Sequence, residues 1–270
     1  REGASRLRGS SRTVADLLHE DPVALLGPGV RPGFGGRFPL LVKYIDAAER
    51  LSVQVHPGPA QALVDGDGAK TEAWLVLATG PRARIICGLL PGVTLDAFAA
   101  VAATAAVESL LHGFRPAVGD LIYVPHGTVH ALGPDVVVLE VQQNSDVTYR
   151  LYDWGRPRET RLQAGLLAVR PAAASRIIGA SDAGSVLEAD EFTIRRLDLA
   201  APAVRSTDGV CGVVNVIAGH GTLGSNDGML DLNPGDTVLV PACVGAVQLV
   251  PRPSLQVVWS SPGRAPAASA

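Results

Sequence analysis

Two stretches of this chain repeat one frame. GDLIYVPHGTVH, from Gly119, and GDTVLVPACVGA, from Gly235, each read Gly-Asp, four strand-forming residues and then Pro, 116 residues apart. A strand ended by a proline turn and used twice at domain spacing constrains the chain to two similar β units in tandem. The natural expectation is two β-barrels, and 270 residues leave room for both. The segments LIYV and VVVLEV around the first copy are rich in the β-branched and aromatic residues that fit a pleated surface.

The first copy carries His126 and His130, four positions apart; the second has Ala246 in the place of His130. On a helix the two histidines would share a face as paired metal ligands. Pro125 and Gly127 instead predict a tight turn between two strands. Upstream, RLSVQVHP alternates Leu51, Val53 and Val55 with Ser52, Gln54 and His56, so the last three form one polar row on a strand.

The remaining text is also mostly β. FPLLVKYID, TEAWLVLATG, RARIICGLL and the region 190 to 260 read as strands, and residues 156 to 175 as a connector with a helical or extended piece. Residues 11 to 26 read as one or two short helices broken before Pro22. The alanine- and leucine-rich segment 95–114 predicts a helix ending at Gly113, inserted between strands. His19 and His112 fall near helix ends, His220 in a hairpin turn, and the tail SPGRAPAASA reads as disordered. The division expected is 1–168 and 169–270.

A net charge of −3 gives no footprint for nucleic acid or an anionic membrane. Three scattered cysteines, Cys87, Cys211 and Cys243, indicate neither a disulfide framework nor a thiolate zinc site and fit a reducing cytoplasm. No signal peptide or spanning segment is visible. Of 23 basic residues only Lys43 and Lys70 are lysines, which gives each some interest.

Four side chains suit one divalent metal: Gln54 and His56 from the polar row, Glu72 at the start of the next strand, and His130 after the turn. A strand histidine or a solitary glutamate is ordinarily structural; their joint appearance with the repeat frame shifts that reading. One carboxylate against a divalent ion leaves a site of charge about +1, suited to an anionic substrate or a developing enediolate.

Gly119, Pro125, Gly127 and His130 match the second motif of the cupin superfamily. RLSVQVHP, KTEAW, VPHGTVHALG and LEVQQNSDVTYRLYDWGR resemble the type I mannose-6-phosphate isomerases, in their short bacterial form. That family's usual opening block is not found before residue 11. The resemblance implies a mainly β fold of two cupin (jelly-roll) barrels in tandem, with a helical insertion and short N-terminal helices, the second barrel metal-free. It implies one Zn2+ per chain on Gln54, His56, Glu72 and His130, and a catalytic arginine at Arg150. Ser52, Lys70 and Glu140 match further active-site positions, and Arg156 stands where many relatives have a second cation. His126 is not carried over as a ligand.

The implied reaction interconverts mannose 6-phosphate and fructose 6-phosphate through a cis-enediol. Glu140 and Lys70 are rival bases, since a lysine beside a divalent cation has its pKa lowered towards the working range. Lys70, Arg156 and Ser52 are also candidates for binding the phosphate. The expected protein is a cytoplasmic monomer or weak homodimer acting on a small phosphosugar. The competing readings are a cupin dioxygenase, a phosphosugar epimerase and a non-catalytic sugar-phosphate-binding module.

Overall fold

The computed structural model describes residues 5–264 except 174, 181–185 and 227, so the final six residues of the predicted tail lie outside the described residues. The chain divides into two compact units. One comprises residues 41–182; the other joins 1–40 to 183–270. This differs from a division at 168: the first forty residues belong with the C-terminal unit.

The reason lies in the N-terminal helices α1 (Val14–Glu20) and α2 (Pro22–Leu26). Thr13 and Asp16 form a capping box at the start of α1, and Pro22 opens α2 where its missing N–H costs nothing. Leu18, Leu25 and Leu26 then bury against Val30, Val210 and Cys211. Gly27 ends α2 with φ 99°, and a Cβ there would lie 1.9 Å from the Gly209 carbonyl oxygen. Gly27→Ala is therefore expected to cost roughly 2 kcal/mol, from a strained backbone and a forced separation. A thermal melt should show this as a Tm lowered by several degrees.

In the 41–182 unit two five-stranded antiparallel sheets are formed. The first holds β1 (Leu40–Ala47), β3 (Glu72–Thr79), β6 (Leu121–Val124), β8 (Val136–Gln143) and β10 (Arg176–Ile178), in the order β1-β8-β3-β6-β10. The second holds β2 (Val53–Val55), β4 (Ile85–Leu89), β5 (Leu111–Phe114), β7 (His130–Leu132) and β9 (Tyr149–Tyr152), in the order β5-β4-β7-β2-β9. Between them Trp74, Val76, Ile85, Cys87, Ile122, Leu132 and Val138 make one core. On the other face of the second sheet Val53, Val55, Ile86, Ala131, Tyr149 and Leu151 pack with Phe98 and Val107. Two short helices also belong to this unit, α3 (Pro59–Val64) and α5 (Leu162–Ala168), the latter inside the predicted connector.

The 95–114 helix is shorter than its composition predicts. Helix α4 covers Leu95–Val101, a 3-10 turn follows over Ala105–Leu110, and Leu111–Phe114 is strand β5. Thr104 breaks the helix with extended backbone, and its hydroxyl donates to the Val101 carbonyl. Beyond it, pairing of Leu111 and Phe114 with Leu89 and Ile85 overrides helix propensity. His112 is thus on a strand.

The C-terminal unit forms one seven-stranded sheet, from β11 (Val186–Glu188), β12 (Phe192–Leu199), β13 (Ala203–Ser206), β14 (Gly212–Ser225), β15 (Gly228–Leu232), β16 (Thr237–Val240) and β17 (Ala246–Pro262). The fold is mainly β and antiparallel, as expected, but no closed barrel forms among the described residues. His220 lies within β14 at a register irregularity, not in a hairpin turn, and faces the Asn233 amide oxygen. Ala246 is exposed, and Val247 and Leu249 supply the buried face in its neighbourhood. No helix among the described residues is long and apolar enough to cross a membrane.

Candidate metal centre

The polar row predicted from alternation is partly strand and partly turn. Val53 and Val55 are fully buried on the helix-covered face, which sends Gln54 to the opposite side. Gln54 is the direct partner of His130 on β7 and of Arg150 on β9, so the three residues stand in a row across the sheet. His56 follows β2, and its carbonyl accepts from Gly127 in the proline turn. Gly127 has φ 84°, and a Cβ there would strike the Arg170 side chain. The turn after Pro125 is thereby tied to the ligand-bearing strand.

Glu72 comes from the facing sheet, at the first residue of β3, paired with Val124 and Gln142. Its Oε2 lies 3.2 Å from His56 Nε2, and its Oε1 3.3 Å from His130 Nε2. The three ligand atoms all fall within 4.8 Å of one another, and all three residues are buried. His56 Nδ1 is 3.1 Å from the Val147 carbonyl, and His130 Nδ1 is 2.9 Å from that of Thr128. A carbonyl can only accept, so both rings carry the proton on Nδ1 and turn a bare Nε2 lone pair towards Glu72. His56 Nε2 and His130 Nε2 have no hydrogen-bond partner, and Glu72 Oε2 has only the Lys70 ammonium beside it at 3.2 Å. Buried polar atoms left so are costly unless something else satisfies them. A divalent cation does so for both imidazoles at once.

Electrostatics agree with that reading. Burial, and then the Lys70 cation, pushes His56 down to about 3, and burial likewise lowers His130. For Glu72 burial acts upward, but Lys70, His56 and His130 outweigh it and hold the carboxyl well below its usual range. Neutral imidazoles with an ionised carboxylate are the protonation states a metal requires. The shifts also set a pH dependence for the metal-free protein. The unfolded chain takes up a proton on His56 near pH 6.5, whereas the folded chain does so only near 3. Stability is therefore expected to fall on acidification below about pH 6.5, as the unfolded chain takes up a proton on His56 that the folded chain does not. Denaturation of the chelator-treated protein at pH 7.5 and pH 5 measures it.

Lys70 is buried with its ammonium 3.2 Å from Glu72 Oε2. Ser52 is buried at the entry to β2. Glu140 is buried on β8 and accepts from Trp74 Nε1 at 3.1 Å, and the Trp74 ring stands edge-on to His130. Arg150 donates to the Glu159 carbonyl at 2.6 Å, while its buried Nε has no partner. The Arg156 guanidinium is held by Asp153 at 2.6 Å and by the Arg50 carbonyl at 2.8 Å, in a cluster with Arg158. His126 sits on the turn between Thr71 Oγ1 and Arg170.

Sequence reasoning missed Lys43 as a member of the site. From β1 its ammonium donates to Glu140 Oε1 at 2.8 Å and also to the Gln142 amide oxygen. Its scarcity was the available signal, since it is one of two lysines in the chain.

The family model "Phosphomannose isomerase type I, catalytic domain" matches residues 2–73, and "Mannose-6-phosphate isomerase, cupin domain" matches 183–260. The mannose-6-phosphate isomerase ManA of Bacillus subtilis (strain 168) is 32% identical over 230 residues, 80% of this chain and 73% of that protein. The chain belongs to the type I phosphomannose isomerase family. Another relative in this family, the mannose-6-phosphate isomerase of Streptococcus mutans, is 31% identical over 78% of this chain and 71% of its own. The crystal structure of the Bacillus subtilis mannose 6-phosphate isomerase superposes with a TM-score of 0.80 at 28% identity, over 94% of this chain and 83% of that one. A mannose 6-phosphate isomerase bound with zinc and yttrium shares the fold at a TM-score of 0.74 and 17% identity, covering 96% of this chain and 88% of its own. Membership of the phosphomannose isomerase family makes this chain an isomerase, and its buried His-Glu-His group gives the family's chemistry a place for metal.

Proposed function

We propose that the chain interconverts mannose 6-phosphate and fructose 6-phosphate, with one Zn2+ held by His56, Glu72, His130 and Gln54, each unit being a cupin jelly roll and only the first carrying metal. The observation that carries the reading is the buried group of His56, Glu72 and His130, whose ligand atoms lie within 4.8 Å of one another with both imidazole Nε2 atoms free of hydrogen bonds. Gln54 joins them because it is the direct strand partner of His130. Zinc held there would supply a Lewis acid to the sugar.

The isomerisation removes the proton from C2 of the aldose as O1 gains one, giving a cis-enediol. It then returns a proton to C1 while O2 gives one up. Glu140 takes and returns the carbon-bound proton. Lys43 and Trp74 donate to its two oxygens and fix the carboxylate on the inner side of β8. A base must be held within hydrogen-bond reach of its proton, and two donors from two neighbouring strands do that. Arg150 has an unsatisfied buried Nε to offer a developing oxyanion. Lys70 orients Glu72 and, with Ser52, contributes polar contacts to the substrate. The cation of Arg156 is matched by Asp153, which gives it a structural role at the end of β9.

The test is metal analysis of the purified protein with a coupled mannose 6-phosphate assay before and after chelation. About one equivalent of zinc is expected, with activity lost on its removal and restored on its return. Full activity in metal-free protein would sink the reading. Metal-dependent binding of the sugar phosphate without exchange of the C2 proton would replace it with a binding module.

A further inference from the structure

A cavity of about 300 Å3 opens on the 41–182 unit away from the metal group. Strand alternation places it. On β7 His130 points to the metal group, while Ala131 and its partner Ile86 on β4 belong to the opposite, helix-covered face and line the cavity. Three guanidinium groups surround it, from Arg50, Arg82 and Arg84, with Glu108 as the carboxylate in the lining.

Two of these cations already have partners. Arg50 lies over the Trp154 ring at 4.7 Å and donates to Glu108 at 3.1 Å. Arg82 is gripped by Asp135 through two nitrogens. Among the described residues no carboxylate pairs with Arg84. Its guanidinium lies flat across Gly113 of β5, with Nε and Nη2 each 2.5 Å from the place a Cβ would occupy. Gly133, also in the lining, comes so close to Arg84 that a Cβ would lie 2.3 Å from its carbonyl oxygen. Gly113 thus makes room for the exposed guanidinium, while Gly133 lets the backbone approach and donate to the Arg84 carbonyl at 2.7 Å. Gly113 reads in the sequence as a helix terminator; in the fold it seats a cation.

We propose that this cavity is a second anion site, separate from the metal centre, which takes a phosphate group through the Arg84 guanidinium with Arg50 and Arg82 beside it. A planar fork of fixed N–H donors matches a phosphate's oxygens, and three cations against Glu108 and Asp135 leave the rim positive. The phosphate can be free or carried on a sugar; the recognising chemistry is the same. The site adjoins β7, the strand that carries His130, so an occupant would press on a segment one residue from a proposed ligand.

The indole N–H of Trp154 reports on the cavity, since it donates to the Leu51 carbonyl at 2.7 Å beneath Arg50. The experiment titrates the intact protein with inorganic phosphate, and separately with mannose 6-phosphate, following the indole resonances by NMR. The Trp154 signal is expected to shift on titration with either probe in the wild type. At least tenfold weaker binding is expected in Arg84→Glu and an intermediate value in Arg84→Gln, with the isomerase activity of both variants unchanged. An unshifted Trp154 signal with both probes, or identical titrations in wild type and Arg84→Glu, would overturn the proposal. So would shifts confined to the Trp74 indole beside His130, which would assign all phosphate binding to the metal site. Because the readout is binding at Trp154 and not turnover, failure of the isomerase reading would leave this result standing or falling separately.

Discussion

His130→Ala is expected to empty the metal centre and reduce turnover by roughly 10³-fold or more. The ring is fully buried, and its Nε2 is one of the three ligand atoms that meet within 4.8 Å. Removing it leaves His56 and Glu72 facing a gap, with Gln54 on the neighbouring strand as the one further donor. Two strong ligands and a neutral amide do not hold zinc against dilution as three do. Zinc content after gel filtration, alongside kcat and KM, measures the effect. Wild-type zinc with unimpaired turnover would show that the metal is held elsewhere. The substitution also relieves a buried unsatisfied nitrogen, so the metal-free variant should melt no lower than metal-free wild type apart from the loss of packing against Trp74. That comparison separates a lost ligand from a lost fold.

For Arg150→Ala the expected loss is about 10²–10³ in kcat with zinc content unchanged, the range seen when one preorganised donor to a developing oxyanion is removed. The guanidinium is positioned before substrate arrives. Its Nη1 is anchored on the Glu159 carbonyl at 2.6 Å, and its backbone is paired with Gln54. What remains is a buried Nε with no partner in the resting protein. If Arg150 acts on charge that develops only during reaction, kcat should fall and KM should change little. A rise in KM alone would make it a binding residue for the ground-state sugar. Arg150→Lys should recover little, because an ammonium cannot keep the Glu159 anchor and present a second donor in the same geometry.

Much of this is legible in the sequence. Period-two alternation from Leu51 to His56 puts Gln54 and His56 on one side of the chain, and the proline turn puts His130 on a following strand. With Glu72 these are residues whose chemistry is recognisable one at a time and whose spacing follows from strand geometry. Short N-terminal helices, strands over most of the chain and a helical insertion were readable for the same reason, since each rests on local pattern.

Tertiary structure decided whatever depended on contacts between distant segments. Lys43 and Glu140 are 97 residues apart and meet because β1 and β8 are neighbours, an adjacency no local period encodes. Arg156 has the right charge for a substrate phosphate, and the fold sets it beside Asp153 and the Arg50 carbonyl. Leu111–Phe114 has helical composition and became a strand because β4 offered it a ladder. The first forty residues joined the C-terminal unit because Leu18, Leu25 and Leu26 found their apolar partners at Val210 and Cys211. The sequence by itself therefore determined which side chains can bind metal and on which side of their strands they stand. Only the folded chain decided which cations reach them, since charge partners and strand neighbours are chosen by long-range packing and not by the order of residues.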